Sequence, residues 1–367
     1  MSIMYSKLKF GKKLSNFVRL LPYSAQVKFY SKARLYFLHE YANHEIANPV
    51  SIDFGGFETN LWGINFRAPL INAAGMFKNG ECYDISYKQG AGGYLLGTTT
   101  SNPRAGNTKH DIYLPSVMLP SSNAAINFLG LPNLGDQVII HNISKYNSYK
   151  NFPFGVSLMR SPDYSECQGL ELLVESLFEY NGLELVQFIE LNESCPNVKS
   201  GDNSRLLARL SYISEQFIKK RTIRKPIILK LSNDLELRNL SDILEAVVRC
   251  GFSGLTLGNT VTEYSNYQNQ LTRADRELMH YFTQNFGGGL SGAPLWDKSL
   301  ELIRGASQLL QNIKPEQEFH LIQCGGIDSA TKVRQSLDAG ASLCQWYTGY
   351  FESLAKYGDN IYKNIYK

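Results

Sequence analysis

The chain has 367 residues, of which 43% are hydrophobic and 19% charged, and its formal net charge is +4. This length suits one large domain or two ordinary ones, and the ordinary apolar content excludes collagen-like, low-complexity and disordered proteins. Six cysteines without CxxC spacing and six scattered histidines exclude a disulfide scaffold and predict no metal site. There is neither a run of about 18 apolar residues nor a signal-peptide pattern, so we expect a cytoplasmic protein.

The N-terminal 39 residues are strongly basic, with eight Lys or Arg and no Asp or Glu, whereas the rest of the chain is mildly acidic. Apolar residues recur there at the helical spacing i, i+3, i+4, i+7. Pro22 ends this pattern, and Ser24 is predicted to cap a second helix. We therefore predict a basic amphipathic helical extension over residues 1–48 and a barrel domain over 49–367. The apolar positions are Leu14, Phe17, Val18 and Leu21 in the first helix, and Val27, Tyr30, Phe37, Leu38 and Tyr41 in the second.

Two roles for this extension stay open. It can be a helical hairpin that packs on its own domain with a solvated basic face. It can also lie on a membrane surface, because basic residues beside an apolar face suit anionic lipid. The second role predicts peripheral contact with the inner face of the cell membrane. No nucleic-acid-binding module is recognisable, so we expect no nucleic-acid partner.

The remaining chain alternates short apolar runs with helix-length segments. A predicted hairpin comes first, over Val50–Phe54 and Thr59–Ile64. Eight further runs follow, mostly apolar on both faces, as parallel strands buried under helices are: Pro69–Asn72, Gly93–Gly97, Phe154–Met159, Phe188–Asn192, Pro226–Leu231, Gly254–Asn259, Phe319–Cys324 and Leu343–Tyr347. Segments such as Leu237–Cys250 and Ser329–Gly340 have helical spacing. Eight βα units predict a (β/α)8 TIM barrel. A doubly wound sheet stays an alternative, although the absence of a GxGxxG motif disfavours a dinucleotide-binding one.

Polar residues follow nearly every predicted strand, at the end of a barrel where chemistry is expected. The turns at Gly325-Gly326 and Thr348-Gly349 offer bare backbone N–H groups that suit a phosphate. Asparagines at positions 127, 192, 197 and 259 both donate and accept hydrogen bonds, and therefore suit amide edges. Cys195 lies among polar residues at a strand exit, and no partner histidine is apparent. This indicates a base rather than a protease nucleophile.

Nine motifs in a fixed order carry a resemblance to the dihydroorotate dehydrogenase family. They are NAAGMFKNGE (72–81), GTTTSNPRAGN (97–107), INFLGLPNLG (126–135), LNESCPNV (191–198), KLSND (230–234), GNT (258–260), GGLSG (288–292), CGGI (324–327) and WYTG (346–349). The resemblance covers roughly residues 14 to 355. It implies a TIM barrel, FMN as cofactor, and oxidation of dihydroorotate to orotate in pyrimidine biosynthesis.

The resemblance also implies a role for each site residue. Cys195 resembles the base that takes the proton from C5 of dihydroorotate, while the hydride from C6 goes to N5 of FMN. Lys78 resembles the cation that meets the substrate carboxylate, and Lys230 the lysine beside the N1/O2 edge of the flavin. The implied substrate-holding set is Asn127, Asn192, Asn197, Asn259 and Thr260. The implied flavin contacts are Ala73, Ala74, Gly75 and Thr98, and the implied phosphate contacts are Ser291, Gly292, Gly325, Gly326, Tyr347 and Thr348.

The motifs mix two classes of the family. Lys78 and the helical extension resemble the membrane-associated class, which reduces quinone. Cys195 and the GLPNLG segment resemble the soluble class, and no arginine lies near Ile112–Leu114, where the quinone class usually has one. We expect quinone as the oxidant, with fumarate or another soluble acceptor as an alternative. A dihydropyrimidine-type reductase and a non-catalytic relative are the other readings, and the oligomeric state stays open.

Overall fold

The computed structural model describes residues 17–193 and 204–367. Its centre is one sheet of eight parallel strands in the order β3-β15-β14-β12-β11-β10-β9-β4. These strands are β3 (Leu70–Asn72), β4 (Tyr94–Thr99), β9 (Phe154–Leu158), β10 (Val186–Asn192), β11 (Ile227–Leu231), β12 (Gly254–Leu257), β14 (His320–Cys324) and β15 (Leu343–Trp346). All eight predicted barrel strands are confirmed, with ends that differ by at most two residues.

The sheet closes into a barrel between its two edge strands, β3 and β4. The buried side chain of Asn72 joins them: its Nδ2 donates to the carbonyl of Leu95 at 2.7 Å, and its Oδ1 accepts from the Leu95 N–H at 3.0 Å. The Gly92 N–H also donates to the carbonyl of Leu70 at 2.9 Å. A doubly wound open sheet has free edges here, so this closure establishes the TIM barrel.

Helices follow the strands around the outside of the barrel. They are α2 (Tyr83–Gln89), α3 (Asp136–Ile143), α4 (Glu166–Gly182), α5 (Ser204–Ile213), α6 (Leu237–Arg249), α7 (Arg273–Asn285), α8 (Trp296–Ile313), α9 (Ala330–Asp338) and α10 (Thr348–Tyr357). The predicted helices in this part of the chain are confirmed by α6 and α9. Ser329 caps α9, since its side chain accepts from the Lys332 N–H. The main core lies between these helices and the strands.

Small antiparallel sheets cover the two ends of the barrel. A hairpin of β1 (Thr59–Leu61) and β2 (Ile64–Phe66) closes the N-terminal end, where Leu61 and Phe66 pack on apolar side chains inside the barrel. The prediction of a strand over Val50–Phe54 was wrong, because both strands of the hairpin lie after Gly56. At the other end lie β7 (Ser116–Leu119), β8 (Ala124–Asn127) and β13 (Gly289–Gly292), and a short pair, β5 (Thr108–Lys109) and β6 (Ile112–Tyr113).

Helix α1 (Tyr23–Ala42) is the part of the basic extension that the structure describes in full. It packs on β7 and α7, and Val27 and Tyr30 join the second core there. Pro22 precedes it without a side-chain cap, so the prediction that Ser24 caps this helix was wrong. Phe17 and Val18 are helical, and the rest of the first predicted helix lies outside the described residues. Among the described residues, no helix is both long and apolar enough to cross a membrane.

Candidate active site at the mouth of the barrel

A cavity of about 850 Å³ opens at the carboxyl ends of the barrel strands. A cavity of this size is in the range that binds small molecules and cofactors. Every predicted site residue within the described ranges lines it, although those residues are distant in sequence. They are Ala73, Ala74, Gly75, Lys78, Thr98, Asn127, Asn192, Lys230, Asn259, Thr260, Ser291, Gly292, Gly325, Gly326, Tyr347 and Thr348.

Two predicted residues, Cys195 and Asn197, lie outside the described residues. Their roles therefore stay predictions. The chain on both sides of them is held by a buried ion pair, in which Arg209 of α5 reaches back to Glu193 just after β10. The Nε and Nη2 atoms of Arg209 lie 3.0 Å and 2.8 Å from Oε2 of Glu193. The pair ties the exit of β10 to the helix that follows it.

A bulge in β4 brings Thr98 to the cavity wall. The register of β4 against β9 shifts between Gly97 and Thr99. Gly97 has φ +105°, and a Cβ there would lie 2.3 Å from the carbonyl oxygen of Ser157, so a residue with a side chain cannot take this backbone path. Glycine at this position therefore permits the close approach of β4 to β9 and the placement of Thr98.

Three predicted substrate-binding residues form one hydrogen-bonded group. Nδ2 of Asn192 donates to Oγ1 of Thr98 at 3.0 Å. Nδ2 of Asn259 donates to Oδ1 of Asn192 at 3.4 Å, and Oδ1 of Asn259 accepts from the Thr260 N–H at 2.9 Å. Asn127 ends β8 and also lines the cavity. Amide groups held in this way present fixed donors and acceptors, which suits a planar ring with amide edges.

The two predicted lysines have different electrostatic surroundings. Lys230 is 1% exposed and donates to Oε1 of Gln345 at 2.8 Å, with Oε1 of Glu190 at 3.5 Å. Burial alone lowers the pKa of Lys230, but the neighbouring Cys324 and Glu190 side chains outweigh it and the pKa is raised. Lys78 has no such compensation. Its burial and then the nearby Arg34 lower its pKa to about 7, against a smaller opposing effect of Glu81.

The other end of the cavity is built to bind an anion. Helix α10 begins at Thr348, and the side chain of its N-cap residue, Tyr347, accepts no hydrogen bond from its first backbone N–H groups. Oγ1 of Thr348 lies 3.0 Å from Oγ of Ser291, and the Gly325-Gly326 turn lines the same region. A helix N-terminus beside a glycine turn suits a phosphate, and barrels often place a phosphate site after the seventh and eighth strands.

The sequence drew attention to Ser157, which stands where the quinone class usually has an asparagine near the flavin, but not to Glu190 and Gln345. Ser157, Glu190 and Gln345 are all at most 1% exposed and are hydrogen-bonded to cavity-lining groups. The available signal was the carboxylate of Glu190 between two apolar residues of a predicted strand, Ile189 and Leu191, because a buried charge is rare unless it is paired. Its partners come from other strands, and sequence spacing does not reveal them.

An eight-stranded barrel with a helix N-terminus, a glycine turn and a buried lysine at one cavity is typical of TIM-barrel enzymes that bind phosphate-containing ligands. The comparisons with known proteins agree. A model of the family described as dihydroorotate dehydrogenase matches residues 57–367. The dihydroorotate dehydrogenase (quinone) of Cronobacter sakazakii is 33% identical over 298 residues, which cover 78% of this chain and 81% of the relative. That of Yersinia enterocolitica is 31% identical over 313 residues, with 83% and 84% covered.

Solved structures agree on the fold. The crystal structure of DHODH from Eimeria tenella in complex with ferulenol has a TM-score of 0.71 at 20% sequence identity, covering 91% of this chain and 89% of that chain. The ligand-free form has a TM-score of 0.72 at 19% identity, covering 89% and 90%. The chain belongs to the dihydroorotate dehydrogenase family.

The family's cofactor, FMN, fits the residues that line the cavity. FMN has a phosphate at one end and a flat ring system that gains negative charge on reduction at the other. The uncapped start of α10 and the Gly325-Gly326 turn suit the phosphate, and Lys230 suits the ring. Gly75 lines the cavity wall, and among the described residues a Cβ there would meet only the Tyr347 ring, at 3.9 Å, which leaves room for a flat ring.

Proposed function

We propose that the protein oxidises dihydroorotate to orotate in pyrimidine biosynthesis, with FMN as cofactor and quinone as the final acceptor. The observation that carries the proposal is the convergence, in one cavity, of a helix N-terminus and glycine turn that suit a phosphate, a buried lysine with a counter-charge, a second lysine and a group of hydrogen-bonded amides. Family membership agrees with this chemistry, and so do the quinone-class names of the relatives.

Substrate binding is assigned to Lys78 and the amide group. The carboxylate of dihydroorotate meets the ammonium of Lys78, since a charge-assisted hydrogen bond is stronger than a neutral one. Asn127, Asn192, Asn259 and Thr260 hold the amide and imide edges of the ring, together with Asn197. The rigid bonding within this group keeps the ring in one orientation, so that the two carbon atoms that lose hydrogen have fixed positions.

Proton and hydride removal are divided between the protein and the cofactor. Cys195 takes the proton from C5 as the base, because a thiolate is the strongest nucleophile and base available in the LNESCPNV motif. Bound FMN supplies the acceptor, N5, for the hydride from C6. Lys230 presents a positive charge to the flavin edge, which favours negative charge there. Ala73, Ala74, Gly75 and Thr98 would lie against the ring of bound FMN, and Ser291, Gly292, Gly325, Gly326, Tyr347 and Thr348 would hold its phosphate end.

We further propose peripheral contact between the basic extension and a membrane, where quinones are found. Phe17 and Leu20 are 68% and 82% exposed, in a segment that also carries Lys28 and Lys32. Exposed apolar side chains beside basic ones favour binding to an anionic lipid surface. The division at residue 48 follows from this assignment, with the extension for the membrane and residues 49–367 for the chemistry.

A steady-state assay with dihydroorotate tests the function. The purified protein is expected to be yellow and to reduce a ubiquinone or menaquinone analogue faster than fumarate or NAD. Reduction of the flavin by dihydroorotate, followed in the absence of any acceptor, tests the first half-reaction separately. A protein without bound flavin would contradict the whole proposal. Fast turnover with fumarate alone would contradict only the acceptor.

A further inference from the structure

The interior of the barrel contains a polar layer at the base of the cavity, and two of its members, Lys230 and Gln345, line the cavity. Side chains of a strand alternate between its two faces, so residues two apart on one strand occupy successive layers inside a barrel. On β10, Phe188 belongs to an apolar layer together with Ile228, Ile322 and Leu343. Glu190, two residues further on, belongs to the next layer. That layer is polar and consists of Ser157, Glu190, Lys230, Thr256 and Gln345, all at most 1% exposed.

Glu190 is the centre of this layer, and both of its carboxylate oxygens accept hydrogen bonds. Oε1 accepts from Oγ of Ser157 at 3.2 Å and lies 3.5 Å from Nζ of Lys230. Oε2 accepts from Oγ1 of Thr256 at 3.0 Å and from Nε2 of Gln345 at 2.6 Å. Donors from four different strands thus converge on one carboxylate. Such a saturated arrangement compensates for much of the cost of burying the charge.

This layer connects Glu190 to the cavity at two places. Gln345 bridges the carboxylate to the ammonium, because its Nε2 donates to Glu190 while its Oε1 accepts from Lys230. Ser157 bridges it to Thr98, whose Oγ1 lies 3.1 Å from Oγ of Ser157. Both Lys230 and Thr98 line the cavity, although Glu190 itself does not. A change at Glu190 therefore reaches the cavity through groups that line its wall.

The charges around Lys230 identify Glu190 as its counter-ion at neutral pH. Besides Glu190, the titratable group beside Lys230 is the thiol of Cys324 on β14. Burial raises the pKa of Cys324, although the neighbouring Lys230 opposes this, so Cys324 is a neutral thiol near pH 7. The anion that offsets the burial of the Lys230 ammonium is then the Glu190 carboxylate.

We infer that Glu190 is a positioning residue for the flavin reaction: as a buried counter-charge, it keeps Lys230 an oriented ammonium at the cavity wall. The inference deepens the proposed function and rests on it where the flavin is concerned. The Glu190–Lys230 pair itself is a property of the barrel and can be tested independently.

The first test is a double-mutant cycle of thermal unfolding with Glu190→Gln, Lys230→Met and the double variant, each as purified. Either single change leaves one buried charge without its partner, whereas the double variant removes both. We expect each single variant to have a lower Tm than wild type. We expect the double variant to regain most of the Tm that the less stable single variant loses. Additive losses in the double variant would overturn the inference, and this test is valid whether or not flavin is bound.

The second test measures the redox potential of bound FMN between about pH 6 and 9.5. In wild type, Lys230 stays protonated, and its charge adds no pH dependence. In Glu190→Gln, Lys230 loses its proton within this range and regains it when the flavin gains negative charge. The plot of potential against pH is then expected to show a break, with one additional proton taken up for each flavin reduced.

The matched control is Thr256→Val, which removes one hydrogen bond to Glu190 but keeps its charge. Its plot is expected to run parallel to that of wild type. A Glu190→Gln plot that is also parallel to wild type would overturn the inference. If Glu190→Gln does not retain FMN, its flavin potential cannot be measured, and the thermal-unfolding cycle then tests the inference. If wild type itself binds no FMN, the proposed function fails, and the cycle still decides whether the charge pair exists.

Discussion

The pKa of Lys78 leads to a prediction about ligand binding and pH. Burial and the nearby Arg34 lower this pKa to about 7, so about half of the ligand-free molecules carry the ammonium at pH 7 and about a tenth at pH 8. Orotate binds through its carboxylate and requires the protonated lysine. Its dissociation constant is therefore expected to be constant below pH 7 and to rise about tenfold for each pH unit above it.

Removing the charge should remove this pH dependence. A hydrogen bond to a charged group contributes about 1.5–3 kcal/mol, so Lys78→Met is expected to weaken orotate binding about 10- to 150-fold at pH 6. Its affinity should then be independent of pH. Arg34→Gln should raise the pKa of Lys78 and move the onset of weakening to higher pH. Lys150→Met is the matched control, because Lys150 is exposed and precedes β9 at the opposite end of the barrel.

The assay is a titration of the flavin-loaded enzyme with orotate, followed by flavin absorbance between about pH 5.5 and 8.5. Binding of the product is preferable to kcat here, because the base titrates as well and would add its own pH dependence. The reasoning is refuted if wild-type affinity does not change across this range. It is also refuted if Lys78→Met binds orotate as well as wild type does at pH 6.

Three further predictions concern other parts of the molecule. Cys195→Ala should retain FMN but slow flavin reduction by dihydroorotate about 10²- to 10⁴-fold in stopped flow. Cys195→Ser should keep partial activity with a higher pH optimum. Near-wild-type reduction by the Ala variant would exclude Cys195 as the base. A chain that starts near Asn48 should still reduce its flavin with dihydroorotate but should lose quinone turnover. It should also lose salt-sensitive co-sedimentation with anionic vesicles, since each basic residue near such a surface contributes about 1 kcal/mol. Quinone turnover equal to that of the full chain would make the extension purely structural. Gly97→Ala should lower the free energy of unfolding by roughly 2–4 kcal/mol in urea titrations. The control is Gly63→Ala: Gly63 has φ +73° and no neighbour among the described residues within 4 Å, so this change should cost only about 1–2 kcal/mol of backbone strain. Equal losses in the two variants would contradict a clash with Ser157.

The sequence alone was sufficient for the order and the positions of the barrel strands. Each is a short run, apolar on both faces, between helix-length segments, and this pattern follows from burial under helices on one side and inside the barrel on the other. Because the carboxyl ends of parallel strands share one edge, the polar residues after the strands could be assigned to one site before their distances were known. The cofactor and substrate came from motifs such as NAAGMFKNGE and CGGI, not from periodicity.

Local sequence signals were less reliable at the start of the chain. Val50–Phe54 has an alternating pattern, yet the hairpin forms from Thr59–Leu61 and Ile64–Phe66, whose side chains fill the end of the barrel. Ser24 has the right chemistry for a helix cap, yet α1 begins one residue earlier, directly after Pro22. In the hairpin, packing against the barrel outweighed local preference.

Only the tertiary structure determined how charges inside the barrel are paired. Glu190, Lys230 and Gln345 lie far apart in sequence, and they meet because strands β10, β11 and β15 present their side chains to the same interior layer. Barrel closure through Asn72 and the proximity of Arg34 to Lys78 are likewise contacts between distant segments. Spacing along the chain predicts which face of a strand a residue occupies, but the partner across the barrel depends on closure and register, which involve all eight strands at once.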